Sequence, residues 1–230
     1  MSDFKYVGCE LDLFATVRNW KSYWASQVQP FVRGDVLEVG AGIGANTPII
    51  DRGPRGRWLR LEPDPLLFSR LPQTAGYEDM QGTLQDLERR GQFDTILYID
   101  VLEHIEDDRA ELQEAAARLR QGGRLIVLAP AHQFLFSPFD ASIGHFRRYN
   151  RTLLKKIGPV NLRLERLHYL DSAGLAVSVA NRLLLRQSLP SGGQLRFWDQ
   201  YLIPLSRVID KCTARCVGKT IFAVWQREKG

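Results

Sequence analysis

The sequence predicts an α/β fold: a doubly wound, mostly parallel sheet of seven strands, with an N-terminal helix ahead of it and a helical insertion between the last two strands. Three observations carry the prediction. Short apolar runs rich in β-branched residues alternate with helical patterns through the first 128 residues, the rhythm that builds parallel sheets from strand–helix–strand units. The first run, Val36 to Val39, passes straight into a turn containing Gly40, Gly42 and Gly44 and then into a helix start. The last third holds two more strand patterns, residues 162–170 and 218–226, with 47 residues between them.

Along the chain, Leu13, Val17, Trp20, Trp24 and Val28 recur at helical spacing and predict one amphipathic helix over residues 11–30, stopped at Pro30. Its tryptophans read as core, and Tyr6, Trp20 and Tyr23 are candidates to close a site over the sheet. Residues 57–61 form the second strand and deliver Glu62 to its end. Asp64, set between two prolines, reads as the cap of the next helix. A short third strand covers residues 77–81 and leads to Thr83 and Leu84. A fourth covers residues 93–99 and is followed by Asp100-Val101-Leu102-Glu103-His104. A helix from Asp107 to Leu119, closed by Gly122-Gly123, precedes a fifth strand over residues 124–128. Residues 130–150 are too rich in aromatic and ionisable side chains for a plain connection. In the insertion, residues 171–217, one helix is expected around Leu175, Val179 and Leu183. After a break at Pro190, a second helical region runs from Leu195 to Cys216, interrupted at Pro204.

Length and composition set the outer limits. The chain has 230 residues, 44% of them hydrophobic and 25% charged, enough for a sizeable core in one domain spanning residues 1–230. No run approaches the roughly 18 apolar residues of a membrane span, and no basic-then-apolar leader opens the chain. A cytoplasmic location is therefore expected, with peripheral contact at the inner membrane face left open. Cys9, Cys212 and Cys216 point to reduced thiols, and no metal site is expected from them. The net charge of +5 divides unevenly: residues 1–142 carry −6 and residues 143–230 carry +11. A basic last third suits an acidic substrate, an anionic membrane or nucleic acid.

The glycine turn admits two chemistries. Glycines let the backbone approach a ligand closely, and the helix start beside them turns free N–H groups toward the same crevice. Gly40, Gly42 and Ala45 fit the dinucleotide pattern G-x-G-x-x-G/A. A carboxylate at the end of the second strand, Glu62, would suit a ribose diol in either case.

The run Glu38-Val39-Gly40-Ala41-Gly42-Ile43-Gly44 resembles the first motif of class I S-adenosylmethionine-dependent methyltransferases, E/D-x-G-x-G-x-G. The segment from Asp100 to His104 is similar to the fourth-motif region of many small-molecule members. The segment with P-A, S-P-x-D and G-H-x-R-R-Y looks like one found in a group of uncharacterised bacterial members. The resemblance implies a Rossmann-like methyltransferase that uses S-adenosylmethionine. It would hold the methionine end at Glu38, Gly40, Ala41, Gly42 and Gly44, the ribose at Glu62, and the rest of the cofactor near Thr83, Leu84 and Asp100. Thr83 stands where the family commonly has an acid for adenine.

On the acceptor side the resemblance and the residue types point to His132, Asp140, Arg147 and Arg148, with His145, His104 and Tyr149 as catalytic candidates. His145 is the expected base, since Gly144 frees its backbone. The expected acceptor is a small molecule or a lipid-linked glycan or isoprenoid, methylated at oxygen. Two other classes remain: a nicotinamide oxidoreductase, for which no Tyr-x-x-x-Lys pair is present, and a non-catalytic membrane or nucleic-acid adaptor. No nucleic-acid motif stands out, and oligomeric state is not legible.

Overall fold

The computed structural model describes residues 10–53, 56–87, 93–184 and 192–228. Tyr6, Cys9 and Pro190 lie outside them. Seven strands form one sheet in the order β3-β2-β1-β4-β5-β7-β6: β1 Val36–Val39, β2 Trp58–Glu62, β3 Glu78–Gln81, β4 Phe93–Ile99, β5 Leu119–Pro130, β6 Leu162–Leu170 and β7 Thr220–Arg227. The first five run parallel, and β7 is antiparallel to both of its neighbours, β5 and β6. Strand order reverses between β1 and β4. In open sheets of this kind, ligands bind outside the carboxyl ends at that reversal.

The helices are α1 Glu10–Ala15, α2 Asn19–Val28, α3 Thr47–Ile50, α4 Pro65–Ser69, α5 Asp108–Ala117, α6 Pro138–Ser142, α7 Arg151–Ile157, α8 Ser172–Leu184, α9 Gly192–Phe197 and α10 Ile203–Cys212. Two apolar clusters cover the two faces of the sheet. One joins alternate residues of the central strands to Leu112, Ala115 and Ala116 of α5 and to Leu154 and Ile157 of α7. The other gathers Trp20, Trp24 and Val28 of α2, together with Leu195 and Ile203 of the insertion. Both α2 tryptophans are core residues, as their spacing predicts.

Three expectations are corrected. The helix predicted over residues 11–30 is two helices, because the chain leaves helical geometry between Ala15 and Asn19. No local side chain caps α2. Its first N–H groups instead donate to Asp199 in the insertion, Arg18 N at 3.1 Å, Asn19 N at 3.2 Å and Trp20 N at 2.8 Å. Gly122 and Gly123 do not close α5, which ends at Ala117; they lie inside β5, which begins at Leu119. A Cβ on Gly123 would fall 2.9 Å from the Arg120 carbonyl oxygen, so the strand can bend there only with glycine. Pro204 does not interrupt the insertion's second helix. It occupies the first turn of α10, where a missing N–H costs nothing, just after a π-helical segment, Trp198–Leu202.

Asp171 and Asp210 stitch the insertion to the core. Asp210 is fully buried and accepts from Tyr23 Oη (2.7 Å), Asp171 N (2.8 Å) and Ser172 N (3.0 Å). Asp171, also buried, accepts from Ser206 Oγ (2.7 Å), Trp198 Nε1 (2.8 Å) and Gly174 N (2.9 Å). No described helix is long and apolar enough to cross a membrane.

Candidate functional site

The carboxyl edge of the sheet gathers most of the predicted residues. At the end of β1, Gly40 has φ +68°, and a Cβ there would lie 2.6 Å from Val101 Cγ2. Only glycine lets the loop close against the segment that follows β4. Ala41 N donates to Leu61 O (2.9 Å) and Gly42 N to Glu62 Oε2 (2.7 Å), so the loop is tied to the end of β2. Glu62 also accepts from Asp64 N at 2.9 Å. Burial raises its carboxyl pKa, and the bonds from Asp64 and Gly42 pull the other way. Asp64 caps α4, accepting from Leu66 N and Leu67 N, as expected. Thr83 makes a capping box with Asp86, and Leu84 is fully buried with its carbonyl accepting from Arg118.

Glu38 differs from its expected role. Its carboxylate is buried on the α2 side of the sheet and accepts from Thr47 Oγ1 (2.8 Å) and Trp58 Nε1 (3.0 Å). Burial pushes it up to about 7. The acid that opens to the carboxyl edge is Asp100, with φ +54° at the end of β4. Surrounding walls raise its pKa by desolvation, while His145, Lys21 and Lys219 act through space to lower it. Lys21, from α2, reaches over the glycine turn to Ala45 O at 3.4 Å.

The segment after β5 folds around one carboxylate. Asp140, 1% exposed, accepts from Ser137 N (2.8 Å), Arg148 Nε (2.8 Å) and Nη2 (3.0 Å), and His145 Nδ1 (3.0 Å). Burial opposes its ionisation, but the bonds from His145 and Arg148 more than offset this and hold it well below the usual carboxylate range. With Nδ1 committed, His145 keeps Nε2 free, 3.8 Å from Glu103 Oε1 and in edge contact with the His104 ring, whose centroid is 4.5 Å away. His104 is pushed down to about 4, by burial first and then by His145, so it is neutral at pH 7.

Four candidates hold the loop rather than face an acceptor. Tyr149 is fully buried, and its hydroxyl sits 2.9 Å from Asp108 Oδ2 and 3.0 Å from Leu102 O. No surface of it is left to act in catalysis. Arg147 pairs with Asp108 at 2.6 Å and donates to Glu106 O, which ties the loop to the start of α5. Arg148 is spent on Asp140. His132, with φ +68°, bonds Gly218 O through Nε2 (3.0 Å) and stacks on Tyr169. It clasps the loop to the start of β7.

Glu103, His104 and His145 each present one donor atom, all within 4.8 Å of one another, a spacing that one divalent cation can bridge. The sequence offered no such signal, because the fold alone brings residue 145 beside residue 104. Cys212 and Cys216 are exposed free thiols. Lys21 and Lys219 were missed for the same reason as the cluster: neither lies in a motif, and each reaches the edge from an element distant in sequence.

The model of the methyltransferase domain family matches residues 18–182. A search of curated proteins found no match. Among solved structures, an S-adenosylmethionine-dependent methyltransferase from Mesorhizobium loti is 15% identical, with 90% of this chain and 98% of that one covered and a TM-score of 0.58. The N-methyltransferase NodS from Bradyrhizobium japonicum is 13% identical, with 91% and 96% covered and a TM-score of 0.58. Phosphoethanolamine N-methyltransferase 2 of Haemonchus contortus, in complex with S-adenosyl-L-methionine, is 12% identical; 94% of this chain and 57% of that one are covered, with a TM-score of 0.63.

Proposed function

The chain belongs to the methyltransferase domain family, and from that premise we propose that it transfers the methyl group of S-adenosylmethionine to an oxygen of a small-molecule or lipid-linked acceptor, a glycan or isoprenoid. The observation that carries the oxygen assignment is His145: Asp140 fixes its Nδ1, which leaves Nε2, 3.8 Å from Glu103 Oε1, as the ring nitrogen able to take a proton, and the ring acts through space on Asp100 at the strand reversal. A hydroxyl needs a base to become a nucleophile, and an imidazole held in one tautomer by a carboxylate serves that need near neutral pH.

The residues at the edge fit the cofactor. Positive-φ glycines bring bare backbone to the switch point, and Glu62 stands at the end of β2 for the ribose diol. Lys21 supplies a cation above the turn for the methionine carboxylate, and Asp100 an anion for the ammonium, in place of Glu38. When bound, the cofactor supplies a methyl group already activated by its sulfonium. With the cofactor in place, His145 Nε2 would take the proton of the acceptor hydroxyl and leave its oxygen as the nucleophile for that methyl group. Alignment supplies much of the rate, so the loop's rigid anchors, Arg147 and Tyr149, matter by position.

Calorimetry with S-adenosylmethionine tests the cofactor assignment, and mass spectrometry of extracts incubated with labelled methyl donor identifies the acceptor. Glu62→Ala is expected to weaken cofactor binding by roughly 1 to 3 kcal/mol, the cost of a lost charged hydrogen bond. Undiminished affinity in the folded variant removes Glu62 from the ribose.

The insertion supports peripheral membrane contact. Phe197, Tyr201, Leu205 and Val208 are 55%, 63%, 49% and 60% exposed and follow one another at helical steps of four, four and three. Exposed Arg196 and Lys211 lie on the same helical stretch. An apolar stripe edged with cations suits an anionic bilayer surface. The protein is expected to sediment with anionic liposomes at low salt and to dissociate as salt rises, since exposed charges are screened over roughly 10 Å at 0.1 M. Absence of sedimentation at low salt leaves the stripe to another copy or to a substrate tail.

A further inference from the structure

We propose that Lys219 is the seat of an anionic group, a carboxylate or a phosphate, carried by the methyl acceptor. The inference rests on the reading above that the acceptor lies over the ends of β4, β5 and β7.

The backbone around Lys219 is fixed on three sides. Its N–H donates to Asp171 O (3.1 Å), its carbonyl accepts from Ala131 N (2.8 Å), and the preceding carbonyl, of Gly218, is held by His132 Nε2 (3.0 Å). The side chain therefore leaves the sheet edge from a defined point, beside the loop that carries His145. Its ammonium lies 5.2 Å from the centre of the Trp198 indole ring. That ring in turn packs against Trp20 at 5.7 Å and Phe14 at 6.5 Å, which makes one flank of the ammonium aromatic.

Among the described residues, no carboxylate lies within ion-pair distance of this ammonium, and no acceptor lies within hydrogen-bond distance. The acids that act on it through space are Asp171, Asp140 and Asp100. The first two are spent. Asp171 accepts from Ser206, Trp198 and Gly174, and Asp140 from His145, Arg148 and Ser137. Asp100 has Lys21 on its cofactor side. A partly buried ammonium with three donors is costly to leave unmatched, and a charge-assisted bond to an anion is the strong way to match it. Burial also lowers its pKa, which an incoming anion would reverse. The two lysines thus divide the edge: Lys21 stands over the glycine turn for the cofactor's carboxylate, and Lys219 stands under the insertion for the acceptor's anion.

The test titrates inorganic phosphate, and separately acetate, into protein loaded with S-adenosylhomocysteine, at ionic strength held constant with chloride. Emission of Trp198 reports the change beside the ammonium, and Trp198→Phe identifies its share of the signal. A saturable response to one of the two anions is expected; phosphate assigns a phosphoester acceptor and acetate a carboxylate. Lys219→Met is expected to weaken that response roughly tenfold or more, the scale of a charge-assisted hydrogen bond, while Lys219→Arg retains most of it. Unchanged S-adenosylhomocysteine affinity in Lys219→Met certifies the fold and the cofactor reading independently. No saturable response to either anion in the unaltered protein, or a Lys219→Met response equal to it, overturns the proposal. Failure of S-adenosylhomocysteine to bind at all would instead strike the cofactor assignment, and the anion titration without it still reads Lys219.

Discussion

Replacing His145 with glutamine is expected to lower turnover by roughly 10² to 10⁴, the worth of a positioned general base, while leaving cofactor affinity nearly unchanged. One distance and one electrostatic effect separate it from its neighbour. Asp140 holds His145 Nδ1 at 3.0 Å and so leaves Nε2 as the acceptor. His104 is committed to the Gly144 backbone and pushed down to about 4, a weak base even though it is neutral. Asp140→Asn should reproduce part of the loss, because an amide can offer its NH₂ to Nδ1 and stabilise the wrong tautomer. If His145→Gln keeps its turnover and His104→Gln loses it, the roles are exchanged. Activity that falls with a chelator and returns with a divalent cation would make His145 a metal ligand beside Glu103 and His104.

The second large effect is on stability. Asp210→Ala strands two buried N–H groups and the Tyr23 hydroxyl, each worth roughly 1 to 3 kcal/mol when left unsatisfied. A total loss of about 3 to 5 kcal/mol is expected, read as a lower urea midpoint at unchanged slope. Asp210→Asn keeps an acceptor oxygen and should lose less. The result bears on the insertion itself. If residues 171–217 swung as a loosely attached lid, removing Asp210 would barely move the global midpoint, and a loss under about 1 kcal/mol would support that picture. Among the described residues, the hydrogen bonds of Asp171 and Asp210 instead tie α8 and α10 to the cooperative core, with the Phe197-to-Val208 stripe turned outward.

What the sequence made legible follows from how local each signal is. The fourth and sixth strands were predicted to the residue, 93–99 and 162–170, because their apolar runs are bounded by polar or turn residues. The glycine turn was legible because Gly40 meets a steric demand that no other residue satisfies. The misplaced features depend on partners far away in sequence. The break between α1 and α2 is completed by Asp199, and the outward acid of the turn is Asp100 rather than Glu38 because Glu38 is claimed by Trp58 and Thr47. Tyr149, Arg147 and His132 read as reactive types, but tertiary contacts turned them into clasps. Lys21 and Lys219 carried no local signal and acquired meaning only where the strand ends converge.

The capping of α2 by Asp199 has a consequence for biosynthesis. The two partners lie about 180 residues apart, so α2 leaves the ribosome long before the carboxylate that satisfies its first turn. Until then its N-terminus has open donors, and the Trp20 and Trp24 surface lacks the Leu195 and Ile203 side chains that later share its cluster. The strands from β1 to β5 can pair as they emerge, whereas the roof carrying Lys21 cannot lock before Asp199 has been made. A nascent chain stalled ahead of residue 199 would therefore carry a formed glycine turn under an unlatched helix, and the emergence of Asp199 would itself gate when the site becomes whole.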